Sequence, residues 1–171
     1  EEREWRVIDT APFQRLRQIK QLSMSHLVYP NATHTRFAHC LGVFHVMGRI
    51  LDIAERNGIQ ISKEECADLR LAAVLHDIGH YPYSHLFEKV HKVKLTEEFV
   101  EEDTQNSLNA EKARITQSVP KYPDHEEVGK LIVTSHKDLV EAIGGLDRAK
   151  RIADLFSGSS VENKQQSKLI H

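Results

Sequence analysis

The sequence is poor in the features that would set it apart from an ordinary globular chain. Its two cysteines, Cys40 and Cys66, sit within apolar helical patterns and are too few for a disulfide framework. They read as small core residues of a reducing compartment. The formal net charge is only −2 with histidine neutral, so no electrostatic field favours nucleic acid or a membrane surface. No apolar run approaches bilayer-spanning length and no signal peptide opens the chain, so the expected location is the cytoplasm. Strand signals are weak throughout and no internal repeat occurs. What remains is enough chain, 171 residues, to bury one core, and the expected class is all-α.

Histidine is the exception. Eleven are present, concentrated between His26 and His136. The densest stretch is LRLAAVLHDIGHYPYSH, from Leu69 to His85. Leu71, Ala72, Val74 and Leu75 give it an apolar helical lead-in. The helix is expected to deliver His76 and Asp77 at its last turn and to stop at Gly79, with Pro82 biasing Tyr81 away from helical angles. Three more polar groups, His80, Ser84 and His85, follow at once. Burying an imidazole and a carboxylate together without compensation is costly, so the pair is expected to bind a metal.

The flanking segments read as helices and turns. Residues 1 to 8 are charged and hold the only tryptophan, Trp5. Asp9 and Thr10 look like a helix start with Pro12 in its first turn, and Phe13, Leu16, Ile19 and Leu22 form one stripe. SMSHLVYPNATHT is turn material. A long helix is predicted from Arg36 to about Asn57, closed by Gly58, with Arg36 and His39 sharing a face. Ser62 and Glu65 form a capping box ahead of the histidine stretch. Phe87 and Val90 suggest a short helix, and residues 91 to 123 read as an irregular surface insertion. Asp124 starts another helix with Glu127 placed for a reciprocal cap. His125 then stands at a helix N-terminus suited to an anion, while His136 looks incidental. KDLVEAI and LDRAKRIADLF form two short helices separated by Gly144 and Gly145.

If His39, His76 and Asp77 converge, they supply two imidazoles and one carboxylate, a donor set for iron, manganese, zinc or nickel. Arg36, His80, His85 and His125 around it would suit phosphate oxygens. Activated water beside an anion clamp means hydrolysis of a phosphoester or phosphoanhydride.

The motifs RFAHCLG, HDIGHYPYSH and DHEE resemble those of HD-domain phosphohydrolases. IDTAPFQRLRQIKQL, followed at the proper interval by TRFAHCLG, resembles the sterile-alpha-motif-and-HD-domain hydrolases of deoxynucleoside triphosphates and their bacterial relatives. The resemblance implies an all-α HD-domain bundle around a metal site formed by His39, His76 and Asp77. It implies His80, His85 and His125 facing the phosphates, one as acid toward the leaving oxygen. Arg36 would clamp phosphate, and Gln21 and Leu22 would pack against the sugar. It also implies a guanine-nucleotide effector, GTP or dGTP, at positions matching Asp9, Gln14 and Arg17, coupled to assembly of a homo-oligomer. The implied products are deoxynucleoside and triphosphate. Two departures accompany it. The family's fourth metal ligand, an aspartate in an Asp-x-x-Asp-Tyr-like context, has no counterpart here; Asp147 and Asp154 lack those surroundings. The chain therefore reads as the N-terminal part of an HD domain, and the insertion is longer than the resemblance leads one to expect. Alternatives are a non-catalytic nucleotide sensor or scaffold, or another HD enzyme such as a cyclic-dinucleotide phosphodiesterase. The latter branch typically has lysine where His80 stands.

Overall fold

The computed structural model describes residues 2–83 and 123–157. The insertion up to residue 122, the segment around Phe87 and Val90, and Ser84 and His85 lie outside them. Among the described residues there are seven α-helices and no extended strand, the all-α class expected. They are α1 (Glu2–Ile8), α2 (Ala11–Gln14), α3 (Arg36–Arg56), α4 (Lys63–Leu75), α5 (His125–Ser135), α6 (Lys137–Ile143) and α7 (Leu146–Ser157).

Helix α4 is the centre of the bundle. Leu69 and every residue from Leu71 to Leu75 are buried, because α3 packs along one side of the helix and α7 along another. A helix buried on most faces must be apolar nearly all round, which is how this stretch reads. Its start is fixed by the expected capping box: the Ser62 hydroxyl accepts from the Glu65 N–H, and the Glu65 carboxylate accepts from the Ser62 N–H. Helices α5 and α7 pack together, and α1 lies on α6. The turn between α6 and α7 uses Gly144 and Gly145, at φ 108° and 114°, a backbone region that side chains with a Cβ disfavour.

Three expectations need correction. The helix predicted across residues 9 to 22 is shorter and of two kinds. Ala11–Gln14 is α-helical, Arg15–Gln18 is a 3₁₀ turn, and Ile19 is extended. The chain must straighten there because Lys20 pairs with Thr35 and the Arg36 N–H donates to the Ile19 carbonyl at 2.8 Å. Phe13, Leu16 and Ile19 stay buried together, since their spacing of three suits a 3₁₀ turn, whereas Leu22 leaves the stripe and is 46% exposed. Thr10, not Asp9, holds the N-cap position, and its hydroxyl donates to the Val7 carbonyl instead of capping.

The charged residues before Asp9 form α1. It is tied in by Glu4, buried against Arg70 of α4 at 2.5 Å. Burial pushes the Glu4 carboxyl up, but the hydrogen bonds and positive charges around it, the Arg70 guanidinium first among them, together hold it below the usual range. Finally, α3 is long and apolar enough, by length and composition alone, to cross a membrane, contrary to the expectation that no segment reaches that length. Its burial of Arg36 and its packing on α4 make it a wall of this bundle.

Candidate metal centre

The site lies where α4 ends against the start of α3 and the start of α5. Thr35 caps α3 by accepting from the Ala38 N–H, which sets Arg36 and His39 in the first turn. His76 is the C-cap of α4 and Asp77 follows it. One ligand atom from each of His39, His76 and Asp77 lies within 4.8 Å of the others, so the three could hold a metal ion. His39 Nε2 is 3.7 Å from Asp77 Oδ2, and His76 Nε2 is 3.4 Å from Asp77 Oδ1. The His76 Nδ1 donates to the Ala73 carbonyl at 2.9 Å. That bond directs its Nε2 lone pair into the centre, the arrangement metal-binding histidines normally show.

The protonation states fit a ligand set. Burial raises the Asp77 carboxyl, but the His80 hydrogen bond and the charges of His76 and Arg36 hold it well below the usual carboxylate range. Burial lowers His39, reinforced by His76, Arg36 and His34 and opposed by Asp77. Burial likewise pushes His80 down to about 4, against the hydrogen bond its ring donates to Asp77. An ionised Asp77 beside a His39 held toward its neutral form suits coordination of a metal.

Around the three stand the groups expected to face phosphate. Arg36 is 2% exposed and its Nη1 meets Asp77 Oδ2 at 2.5 Å. His80 Nε2 is 3.3 Å from Asp77 Oδ1, and the His80 ring stacks on His125 with centroids 3.9 Å apart. His125 opens α5, whose N-cap Asp124 accepts from the Glu127 N–H. Gly79, expected as a helix stop, has another role. The helix ends before it at Leu75, its φ is not positive, and a Cβ there would collide with the His125 carbonyl and the Gly129 backbone. The two glycines let the turn after Asp77 and the first turns of α5 touch, which brings His125 onto His80.

The remaining candidates fall elsewhere. Gln21 is half-buried, and its N–H donates to the His34 carbonyl beside the start of α3; Leu22 is exposed next to it. Gln14 donates to the Ile8 carbonyl and accepts from Arg17, whose guanidinium lies 3.7 Å over the Phe37 ring. Asp9 lines a separate groove of about 410 Å³ with Arg6, Asp138 and Glu141. His85 lies outside the described residues. Asp154 is paired with Lys130 at 2.6 Å, and Asp147 is exposed on α7. His136 is the junction of α5 and α6. The roles of Ala73 and Gly129 were not foreseen. A glycine inside a predicted helix is the signal that could have found the second.

A family model described as HD domain matches residues 36–164, well over half of the chain. The chain belongs to the HD-domain family. Within it, this HD domain is 45% identical over 85 residues to the deoxynucleoside triphosphate triphosphohydrolase SAMHD1 of Bos taurus, a match covering 48% of this chain and 14% of that protein. It is 44% identical over 86 residues to the Bacillus subtilis protein YwfO, itself uncharacterized, covering 50% of this chain and 20% of the other. The matched stretches are thus a small part of each relative. Among solved structures, a Bacteroides thetaiotaomicron phosphohydrolase superposes with a TM-score of 0.68 at 24% identity, over 97% of this chain and 33% of that one. At that identity the likeness speaks for the fold.

Proposed function

We propose that this HD domain carries the metal-dependent centre of a phosphohydrolase that cleaves deoxynucleoside triphosphates to deoxynucleoside and triphosphate. The observation that carries the reading is the convergence of His39, His76 and Asp77 beside Arg36, His80 and His125, in a chain whose relatives include deoxynucleoside triphosphate triphosphohydrolases. His39, His76 and Asp77 would hold one divalent ion of the iron, manganese, zinc or nickel group. Such an ion supplies Lewis-acid chemistry, lowering the pKa of a water and polarising a phosphoryl oxygen. The protein's own residues do the rest. Arg36 is placed to exchange its contact with Asp77 for an α-phosphate oxygen. His80 and His125 offer ring N–H groups to the same anion, and one histidine of His80, His85 and His125 protonates the departing 5′ oxygen. Gln21 and Leu22 bound the space for the sugar.

Two further parts belong to the same reading. GTP or dGTP binds near Asp9, Gln14 and Arg17, and the protein works as a homo-oligomer. The test is incubation of the purified protein with dATP and manganese, with products separated by ion-exchange chromatography. Deoxyadenosine and triphosphate as first products support the reading. Pyrophosphate or orthophosphate moves the cleavage to another bond, and binding of dATP without turnover makes the domain a sensor.

A further inference from the structure

One side chain reaches the site from a segment none of its chemistry requires. Arg15, in the 3₁₀ turn Arg15–Gln18, donates from Nη2 to the carbonyl of Ile78 at 2.7 Å, joining positions 63 residues apart. Its backbone is seated firmly, because Phe13 and Leu16 on either side are fully buried. Ile78 is also fully buried, and lies between Asp77 and Gly79. Its carbonyl belongs to a rigid planar peptide whose N–H is that of Gly79. Fixing the direction of that carbonyl therefore fixes the plane in which the chain leaves Asp77 and approaches His80.

The same turn is closed on another side by α5. A Cβ at Gly79 would meet the His125 carbonyl and the Gly129 backbone, so no slack exists there. The turn is clamped between a guanidinium and the first turns of a helix. At its two ends stand Asp77, of the metal-holding group, and His80, of the stacked pair. Arg15 touches neither.

We propose that Arg15 is a positioning residue: by holding the Ile78 carbonyl it sets Asp77 and His80 in register with each other and with His125. A merely structural Arg15 would affect stability alone. A positioning Arg15 affects how well the donor set grips a metal, since groups behind a ligand commonly alter affinity about 10–100-fold. The kinetic arm of the test rests on the function proposed above; the metal-binding arm does not.

Manganese binding to the wild-type chain, Arg15→Ala and Arg15→Lys is measured by titration calorimetry, with far-UV circular dichroism recorded on each. Arg15→Ala is expected to stay helical and to bind manganese about tenfold more weakly. Arg15→Lys, which can still donate to the carbonyl, should recover most of that loss and also decides the matter if the alanine variant fails to fold. With dATP as substrate, Arg15→Ala should lower kcat several-fold with little change in KM. A folded Arg15→Ala that binds manganese within twofold of wild type overturns the proposal, as does Arg15→Lys binding no better than the alanine variant. Should the wild type bind manganese yet leave dATP intact, the dNTP reading fails, while the affinity comparison still decides the role of Arg15. A wild type that binds no manganese overturns both.

Discussion

Helix α4 and the turn after it carry two buried aspartates, each facing an arginine from another helix, and only one of them stands at a candidate site. Asp68, 8% exposed, meets Arg148 of α7 at 2.6 Å and Arg151 at 3.4 Å. Asp77, 6% exposed, meets Arg36 of α3 at 2.5 Å. Burial, charge and distance are nearly the same. What differs is the company. Both arginines at Asp68 come from α7, so the pair crosslinks α4 to α7 and gathers nothing else. Asp77 gathers His39, His76 and His80 within 3.7 Å, from α3, the end of α4 and the turn. A buried ion pair alone is weak grounds for function and modest grounds for stability. Three imidazoles converging on one carboxylate are grounds for a ligand.

Breaking each pair in turn separates the two. Asp77→Ala takes away the carboxylate that Arg36 meets in the buried interior, and breaking a buried pair by removing one partner costs about 3–5 kcal/mol. It also removes a ligand, so manganese binding and turnover should vanish from a protein that is still helical by circular dichroism. Manganese binding that survives would remove Asp77 from the metal-holding set. In the wild type, manganese at a hundredfold excess over Kd should stabilise the fold by about 2.7 kcal/mol, because the ion ties α3 to the end of α4. Chelation should reverse the gain, and Asp77→Ala should show none. Equal melting temperatures with and without manganese in the wild type would count against an ion at this position.

Asp68→Ala should do less. Arg151 is more than half exposed, so water takes over its share of the lost pairing, whereas Arg148 is only 12% exposed, and the expected destabilisation is about 1–3 kcal/mol. Manganese affinity should be unchanged. If Asp68→Ala weakened metal binding as Asp77→Ala does, the two aspartates would not be separate devices.

The contrast also marks what was legible in the sequence. Asp77 was readable because local spacing places it beside His76 at the end of an apolar helix, and RFAHCLG supplied His39. The capping box at Ser62 and the Gly144–Gly145 turn were readable for the same local reason. The partners of Asp68 were not, because Arg148 and Arg151 meet it only through packing of α7 on α4, some 80 positions along the chain. The 3₁₀ turn at Arg15–Gln18 was hidden behind a helical stripe. Spacing of three is common to both helix types, and what stops the helix is the distant pairing of Lys20 with Thr35. Gly79 was misread for a similar reason: its neighbours His125 and Gly129 are remote in sequence.

The smallest expected effect concerns Asp9, and it should be invisible to both stability and metal affinity. Capping does not explain this residue, because Thr10 holds the N-cap position of α2. Asp9 instead shares its groove with Asp138 and Glu141 of α6 and with one cation, Arg6. Carboxylates so grouped repel phosphate but accept hydrogen bonds from N–H donors, which the guanine edge presents. Arg17, outside this groove lining, stacks on Phe37 and is held by Gln14, and offers a cation for phosphates. In the proposed reading the effector's base would meet Asp9 and its phosphates Arg17, with Gln14 bonded to the Ile8 carbonyl and to Arg17. GTP should shift the active protein to a larger species in sedimentation and raise its dATP hydrolysis. Asp9→Ala should abolish both responses while its manganese affinity and, within about 0.5 kcal/mol, its stability stay those of the wild type. Identical sedimentation profiles with and without GTP would sink the regulatory reading and leave the Asp77 centre untouched.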